Sequence, residues 1–134
     1  MPRSYKDMLA EAEADVQSIE VADVASSVEG DDRVLVDIRD IRELERDGMI
    51  EGAIHAPRGM LEFWIDPESP YHKPVFAGNK TFVFYCASGW RSLLAAQTAQ
   101  AMGLKSMSMR GGFGEWKAKG HPFVEKSSRE KPVR

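Results

Sequence analysis

Tyr5, Met8, Leu9, Ala12 and Val16 recur at three- and four-residue spacing. That period predicts an acidic amphipathic helix over the first sixteen residues, packed over an end of the core. Ser4 followed by Asp7 resembles a capping box with Asp in the usual place of Glu. Val21, Val24, Ala25 and Val28 predict a second short helix closed by Gly30. Val34-Leu35-Val36-Asp37 is a wholly apolar run ending in an acid, and such runs belong to strands buried on both faces, usually in parallel sheets. Ile41 and Leu44 mark a small helix stopping at Gly48, and residues 53–57 predict a short strand ended by Pro57. Residues 58–80 read as an irregular segment, long enough inside a compact domain to suggest a functional loop. Phe82-Val83-Phe84-Tyr85-Cys86 is the strongest strand signal and runs straight into Ala87-Ser88-Gly89-Trp90-Arg91-Ser92. A helix over 93–102 ends at Gly103, Ser106-Met107-Ser108-Met109 alternates like a last strand, and Phe113 and Trp116 share one face of a final short helix closed by Gly120 and Pro122. Strands alternating with helices predict an α/β domain built on a parallel sheet, with ligands at the carboxyl ends of the strands.

At 134 residues, with 43% hydrophobic and 29% charged residues, the chain is ordinary for one soluble globular domain. No apolar run reaches the roughly 20 residues that a membrane span needs. Met1-Pro2-Arg3-Ser4 meets acidic residues at once, without the apolar stretch expected of a secretory signal. The net charge of −3 is unevenly spread: residues 1–32 carry nine acids against Arg3 and Lys6, whereas residues 33–124 carry twelve bases and ten acids. The central excess is too mild for the basic face of a nucleic-acid binder, but it is compatible with attracting small anions.

The chain has one cysteine, Cys86, which excludes an intramolecular disulfide and a cysteine-rich zinc site. A lone thiol fits a reducing cytoplasm. A single cysteine in a strand is by default a small buried hydrophobe, but the surroundings of Cys86 point elsewhere. The chain must turn from strand to helix within residues 87–92, and Gly89 supplies the freedom for that turn. Successive loop amides then form an anion nest, the helix beginning near Arg91 adds its positive end, and the guanidinium adds a full charge. All three favour a thiolate, the activated form of a covalent nucleophile. His55, His72 and His121 are scattered, lack metal-ligand spacing, and read as surface or structural groups; no metal site is expected.

Four stretches resemble the single-domain rhodaneses, a sulfurtransferase family, over roughly residues 18–123. Val34-Leu35-Val36-Asp37-Ile38-Arg39 resembles the first-strand motif with its D-x-R, and residues 48–57, Gly-Met-Ile-Glu-Gly-Ala-Ile-His-Ala-Pro, resemble G-H-I-x-G-A-x-x-x-P. Residues 86–92 resemble the active-site loop C-x-x-G-x-R-S, and Gly111-Gly112-Phe113-Gly114-Glu115-Trp116 with Gly120 and Pro122 resembles the closing G-G-x-x-x-W…G-x-P. The resemblance implies a three-layer α/β fold with a mostly parallel central sheet and helices on both faces. It implies a ping-pong sulfur transfer with no cofactor. The Cys86 thiolate takes the outer sulfur of thiosulfate or a persulfide, the persulfide rests on Ala87, Ser88, Gly89, Trp90 and Arg91, and a thiol or cyanide removes it. Cysteine phosphatases, including those of this fold, use Cys-x5-Arg; Cys86 to Arg91 is Cys-x4-Arg, one residue short of a cradle for a tetrahedral phosphate.

Three departures stand out. Ala87 occupies a position often basic in the family, so thiosulfate is expected to be a poor donor. Met49 replaces the usual His. Trp90 is bulky where small or polar residues are common, and reads either as a wall of the site, as a surface for a protein persulfide, or as packing. Asp37 and Arg39 sit at the carboxyl end of their strand, near the cysteine loop; Asp37 either orients Arg91 or holds the loop, as one member of a charge pair that fixes it, and Arg58, just past Pro57, either supplies the charge missing at Ala87 or is structural. Phe113, Trp116, Met102, Met107 and Met109 are expected in the core. Residues 1–17 read as a helical extension and 124–134 as a charged flexible tail. The competing reading is a catalytically weak rhodanese-like module that binds a protein or carries sulfur. Neither nucleic acid nor membrane is expected as a partner, and the sequence sets no oligomeric state.

Overall fold

The computed structural model describes residues 2–26 and 32–126. Five parallel strands form one sheet in the order β1-β5-β4-β2-β3: β1 Gln17–Glu20, β2 Arg33–Asp37, β3 Ile54–His55, β4 Thr81–Tyr85 and β5 Lys105–Arg110. Around it lie α1 Tyr5–Asp15, α2 Val21–Ala25, α3 Ile41–Asp47, α4 Leu61–Ile65, α5 Trp90–Ala101 and α6 Gly112–Ala118. The central strand β4 is hydrogen-bonded on both sides, pairing Phe84 with Val36 of β2 and with Ser108 of β5.

Period-two alternation sends the residues of β4 to two cores. Phe82 and Phe84 join Val36, Leu61, Ile65 and the alanines Ala95, Ala96 and Ala99 of α5 on one face. Val83 and Tyr85 join Val21, Val24, Met107, Met109, Phe113 and Trp116 under α2 and α6 on the other. This two-sided cover explains why the strand is apolar throughout.

The capping box at α1 forms as its residues suggest: the Asp7 amide donates to Ser4 Oγ and the Ser4 amide donates to Asp7 Oδ2. The helix packs along α5 in parallel. Tyr5 lies against Trp90 at one end, and Gln97 and Gln100 of α5 donate to the Asp15 carboxylate and carbonyl at the other. The acidic N-terminal segment is complemented from within, since Arg110 pairs with both Glu13 and Glu20.

Four expectations need correction. β1 lacks a sequence signal because Ile19 alone among its four residues is buried apolar. Residues 58–80 are not wholly irregular: they hold α4 and two 3-10 turns, Arg58–Met60 and Pro74–Ala77, elements too short to show a helical period. Met102 is not core but sits exposed at the end of α5, while Met107 and Met109 are buried. Val124, placed at the start of the tail, exchanges two backbone hydrogen bonds with Met49. Val28, Gly30 and residues 127–134 lie outside the described residues.

Candidate active site

Cys86 follows the last residue of β4, at the carboxyl edge of the sheet, where the backbone turns through residues 87–89 into α5. Gly89 takes φ +113°, a left-handed conformation that a side chain resists, and caps the helix without a side-chain contact. That turn aims the Gly89 amide at the sulfur: N–H donates to Cys86 Sγ at 3.1 Å. The twelve-residue α5 thus directs its amino end, and the positive end of its dipole, at Sγ. Although Cys86 is only 1% exposed, its sulfur is not sealed in hydrocarbon, because a loop amide and the Ser92 hydroxyl, at 3.6 Å, face it.

The loop is clamped from behind by the amino end of α6. The Phe113 amide donates to the Cys86 carbonyl at 2.8 Å and the Gly114 amide to the Ala87 carbonyl at 3.0 Å. Gly112 has φ +63°, and a Cβ there would lie 2.6 Å from the Ala87 carbonyl carbon and oxygen and the Cys86 oxygen. The paired glycines of the closing motif therefore let α6 approach the cysteine loop closely enough to hold it.

Arg91 is half-exposed and reaches Glu43 of α3 with both terminal nitrogens, at 2.8 and 2.9 Å. The Arg91 guanidinium holds the Glu43 carboxyl below its ordinary range despite partial burial, and Glu43 in turn raises Arg91, with a further contribution from Cys86. Glu43 has a second duty, accepting from the Asp40 amide in the capping box of α3. Nothing in the local sequence marks it, since the pair spans 48 residues.

Asp37 does not hold Arg91. Its carboxylate accepts from Arg39 Nε and Nη2, the latter at 2.7 Å, and Arg39 also donates to the Gly48 carbonyl at 2.7 Å. Both residues are buried, and the guanidinium lies 4.5 Å from the Phe113 ring centroid. Burial works against the Arg39 charge, but Asp37 more than offsets it and leaves the group above its ordinary range. Burial, with Asp37 nearby, also pushes the Tyr85 hydroxyl up; that hydroxyl accepts from the Ile50 amide. Arg58 donates to Glu62 at 2.8 Å and reaches Thr98, two turns into α5 from the cysteine loop. Ala87 is half-buried and Ser88 exposed. Trp90 is 58% exposed, its ring centroid 5.5 Å from that of Tyr5.

The histidines are elsewhere: His55 Nε2 lies 2.7 Å from the Arg39 carbonyl, His121 packs on Trp116, and His72 has a buried Nδ1 without a partner among the described residues. Among the described residues no three His, Cys, Asp or Glu side chains are grouped to hold a metal ion. No helix among them is long and apolar enough to cross a membrane.

Comparison with known proteins agrees with this architecture. Residues 20–119 match the Rhodanese-like domain. A tRNA sulfurtransferase of Desulfurococcus amylolyticus is 36% identical over 87 residues, 65% of this chain, but the match spans only 15% of that larger protein. "Putative sulfurtransferase YtwF" of Bacillus subtilis is 27% identical over 81% of this chain and 97% of its own length. A solved structure from Rhodopseudomonas palustris, described as a protein of unknown function and possible tyrosine phosphatase, is 52% identical with a TM-score of 0.90, covering 92% of this chain and 96% of its own. The match over most of the chain, on a five-stranded parallel sheet with a cysteine loop at its carboxyl edge, makes this protein a member of the rhodanese-like family.

Proposed function

We propose that the protein is a sulfurtransferase that carries a sulfane sulfur on Cys86. The observation that carries this reading is the 3.1 Å hydrogen bond from the Gly89 amide to Sγ, in a Cys-x4-Arg loop that opens a long helix. The thiolate attacks the outer sulfur of the donor; the new S–S bond forms as the donor's S–S bond breaks, and sulfite leaves with the electron pair when thiosulfate is the donor. A thiolate or cyanide then attacks the outer sulfur of the Cys86 persulfide. The S–S bond breaks, the electron pair returns to Sγ, and a persulfide or thiocyanate departs. Ala87 adds no charge to the loop and Arg91 is already paired with Glu43, which supports a donor less charged than thiosulfate, such as a persulfide. Residues 87–91 hold the persulfide; Asp37, Arg39 and Arg58 act as scaffold.

A phosphatase reading draws on the description of the Rhodopseudomonas structure. The short loop and an Arg91 occupied by Glu43 weigh against it, as phosphate would need both the space and the guanidinium. A weak binding or carrier module draws on the near-complete burial of Cys86. One assay set separates the three. The sulfurtransferase reading expects thiocyanate from cyanide and a sulfane donor, with parallel double-reciprocal plots, lost in Cys86→Ala. Aryl phosphate turnover lost in the same variant would install the phosphatase, and no turnover with any donor and acceptor would leave the binding module.

A further inference from the structure

Ser108 places a hydroxyl where the sheet calls for hydrocarbon. It lies on β5 in register with Phe84, is 1% exposed, and faces the same side as Cys86. A buried hydroxyl is costly unless bonded. Its side-chain partner is Ser92 Oγ, 2.8 Å away and itself fully buried in the first turn of α5. Ser92 Oγ in turn lies 3.2 Å from the Gly89 carbonyl and 3.6 Å from Cys86 Sγ. Three side chains, from the residue after β4, from α5 and from β5, thus form a line ending inside the sheet.

The proton count along that line is restrictive. Either hydroxyl of the 2.8 Å pair could donate; we assign the donor as Ser108, because Ser92 has a further acceptor in the Gly89 carbonyl and Ser108 Oγ has Ser92 alone among the described side chains. The single Ser92 proton is then left to the Gly89 carbonyl or to Sγ. With Cys86 as a thiol, S–H donates to Ser92 Oγ and the Ser92 proton goes to Gly89. When the thiol proton passes to solvent, Ser92 has no proton to accept, and its O–H turns from Gly89 to the thiolate. A donated bond from Ser108 polarises Ser92 and makes that turn more favourable.

We propose that Ser108 is a positioning residue for Cys86: acting through Ser92, it supplies a switchable hydrogen bond that stabilises the thiolate both as attacking group and as leaving group. The leaving-group part rests on the sulfurtransferase reading; the thiolate part does not. The charged or titratable groups nearby, Arg91 with Glu43, Asp37 with Arg39, and Tyr85, are the same in every variant of the test. Cys86 alkylation by iodoacetamide is followed from pH 5.5 to 10 in wild type, Ser108→Ala, Ser108→Thr, Ser108→Val and Ser92→Ala. Ser108→Ala removes the bond that polarises Ser92 rather than the bond to sulfur, and predicts alkylation about two- to fivefold slower near pH 6, with no change near pH 10. Ser108→Thr, which keeps the hydroxyl, retains the wild-type profile; its isostere Ser108→Val matches Ser108→Ala, the Ala variant deciding the matter if Val does not fold. Superimposable wild-type and Ser108→Ala profiles overturn the proposal, whether or not Ser92→Ala is slowed. Alkylation needs no sulfur donor. A protein with the predicted Ser108 dependence that takes up no sulfur therefore defeats the transfer reading alone.

Discussion

Arg39 and Arg91 stand near the carboxyl ends of adjacent strands, β2 and β4, and each is held by a carboxylate in a motif of the same family. Their settings are otherwise opposite. Arg39 is 1% exposed, forks onto Asp37 through Nε and Nη2, and donates a further bond from Nη2 to the Gly48 carbonyl beneath Phe113. Arg91 has a half-exposed side chain, and its Glu43 partner is reachable from solvent. A buried pair closed off from solvent holds the fold. A half-exposed pair beside a sulfur can act on that sulfur's charge without leaving its partner. Sequence adjacency cannot separate these roles; burial does.

The most severe way to break the comparison is to strip one partner from the buried pair. Arg39→Met leaves Asp37 uncompensated in the core and is expected to destabilise the protein by about 3–5 kcal/mol in chemical denaturation. A loss under about 1 kcal/mol would put Arg39 in the same class as an exposed pair.

Gly112 probes the clamp that joins the two regions through Phe113. Gly112→Ala combines a left-handed backbone penalty of about 1–3 kcal/mol with a clash against the Cys86 and Ala87 backbone. Gly120→Ala is the control, since φ there is +78° but nothing lies within 4 Å of the added methyl. Cys86 alkylation is expected to change in the first variant and not in the second.

The exposed pair should do the reverse of the buried one. Arg91→Ala is expected to alter unfolding free energy by less than about 1 kcal/mol while slowing Cys86 alkylation near pH 6. Because Glu43 titrates below its ordinary range when folded, the stability it contributes is complete above about pH 4.3 and fades as pH falls through the lower folded value. Glu43→Gln should remove that segment of the acid limb. Smallest of all is the aromatic contact at the rim: with Tyr5 and Trp90 both more than half exposed, Tyr5→Ala should cost no more than about 0.5 kcal/mol, the low end for an aromatic pair, read from the melting curve.

Much of this was legible beforehand because it is local. The apolar runs of β2 and β4, the capping box at Ser4 and the turn at Gly89 are each written within a few consecutive residues. Elements shorter than a period were not: β1 shows one apolar position, and α4 has five residues. The partners of Arg91 and Ser92 were illegible for a different reason. Glu43 lies 48 positions from Arg91 and Ser108 lies 16 from Ser92, so only the fold brings them together. Asp37 illustrates the converse, for its partner is two residues away and the pair still resolved only when both were seen to be buried.

The central claim is that the Gly89 turn presents Cys86 as an acceptor of sulfane sulfur. Intact-protein mass after incubation with an organic persulfide tests it most directly. The account predicts a gain of one sulfur atom, removed by cyanide and absent from Cys86→Ala; an unchanged mass across persulfide, thiosulfate and polysulfide donors would contradict it.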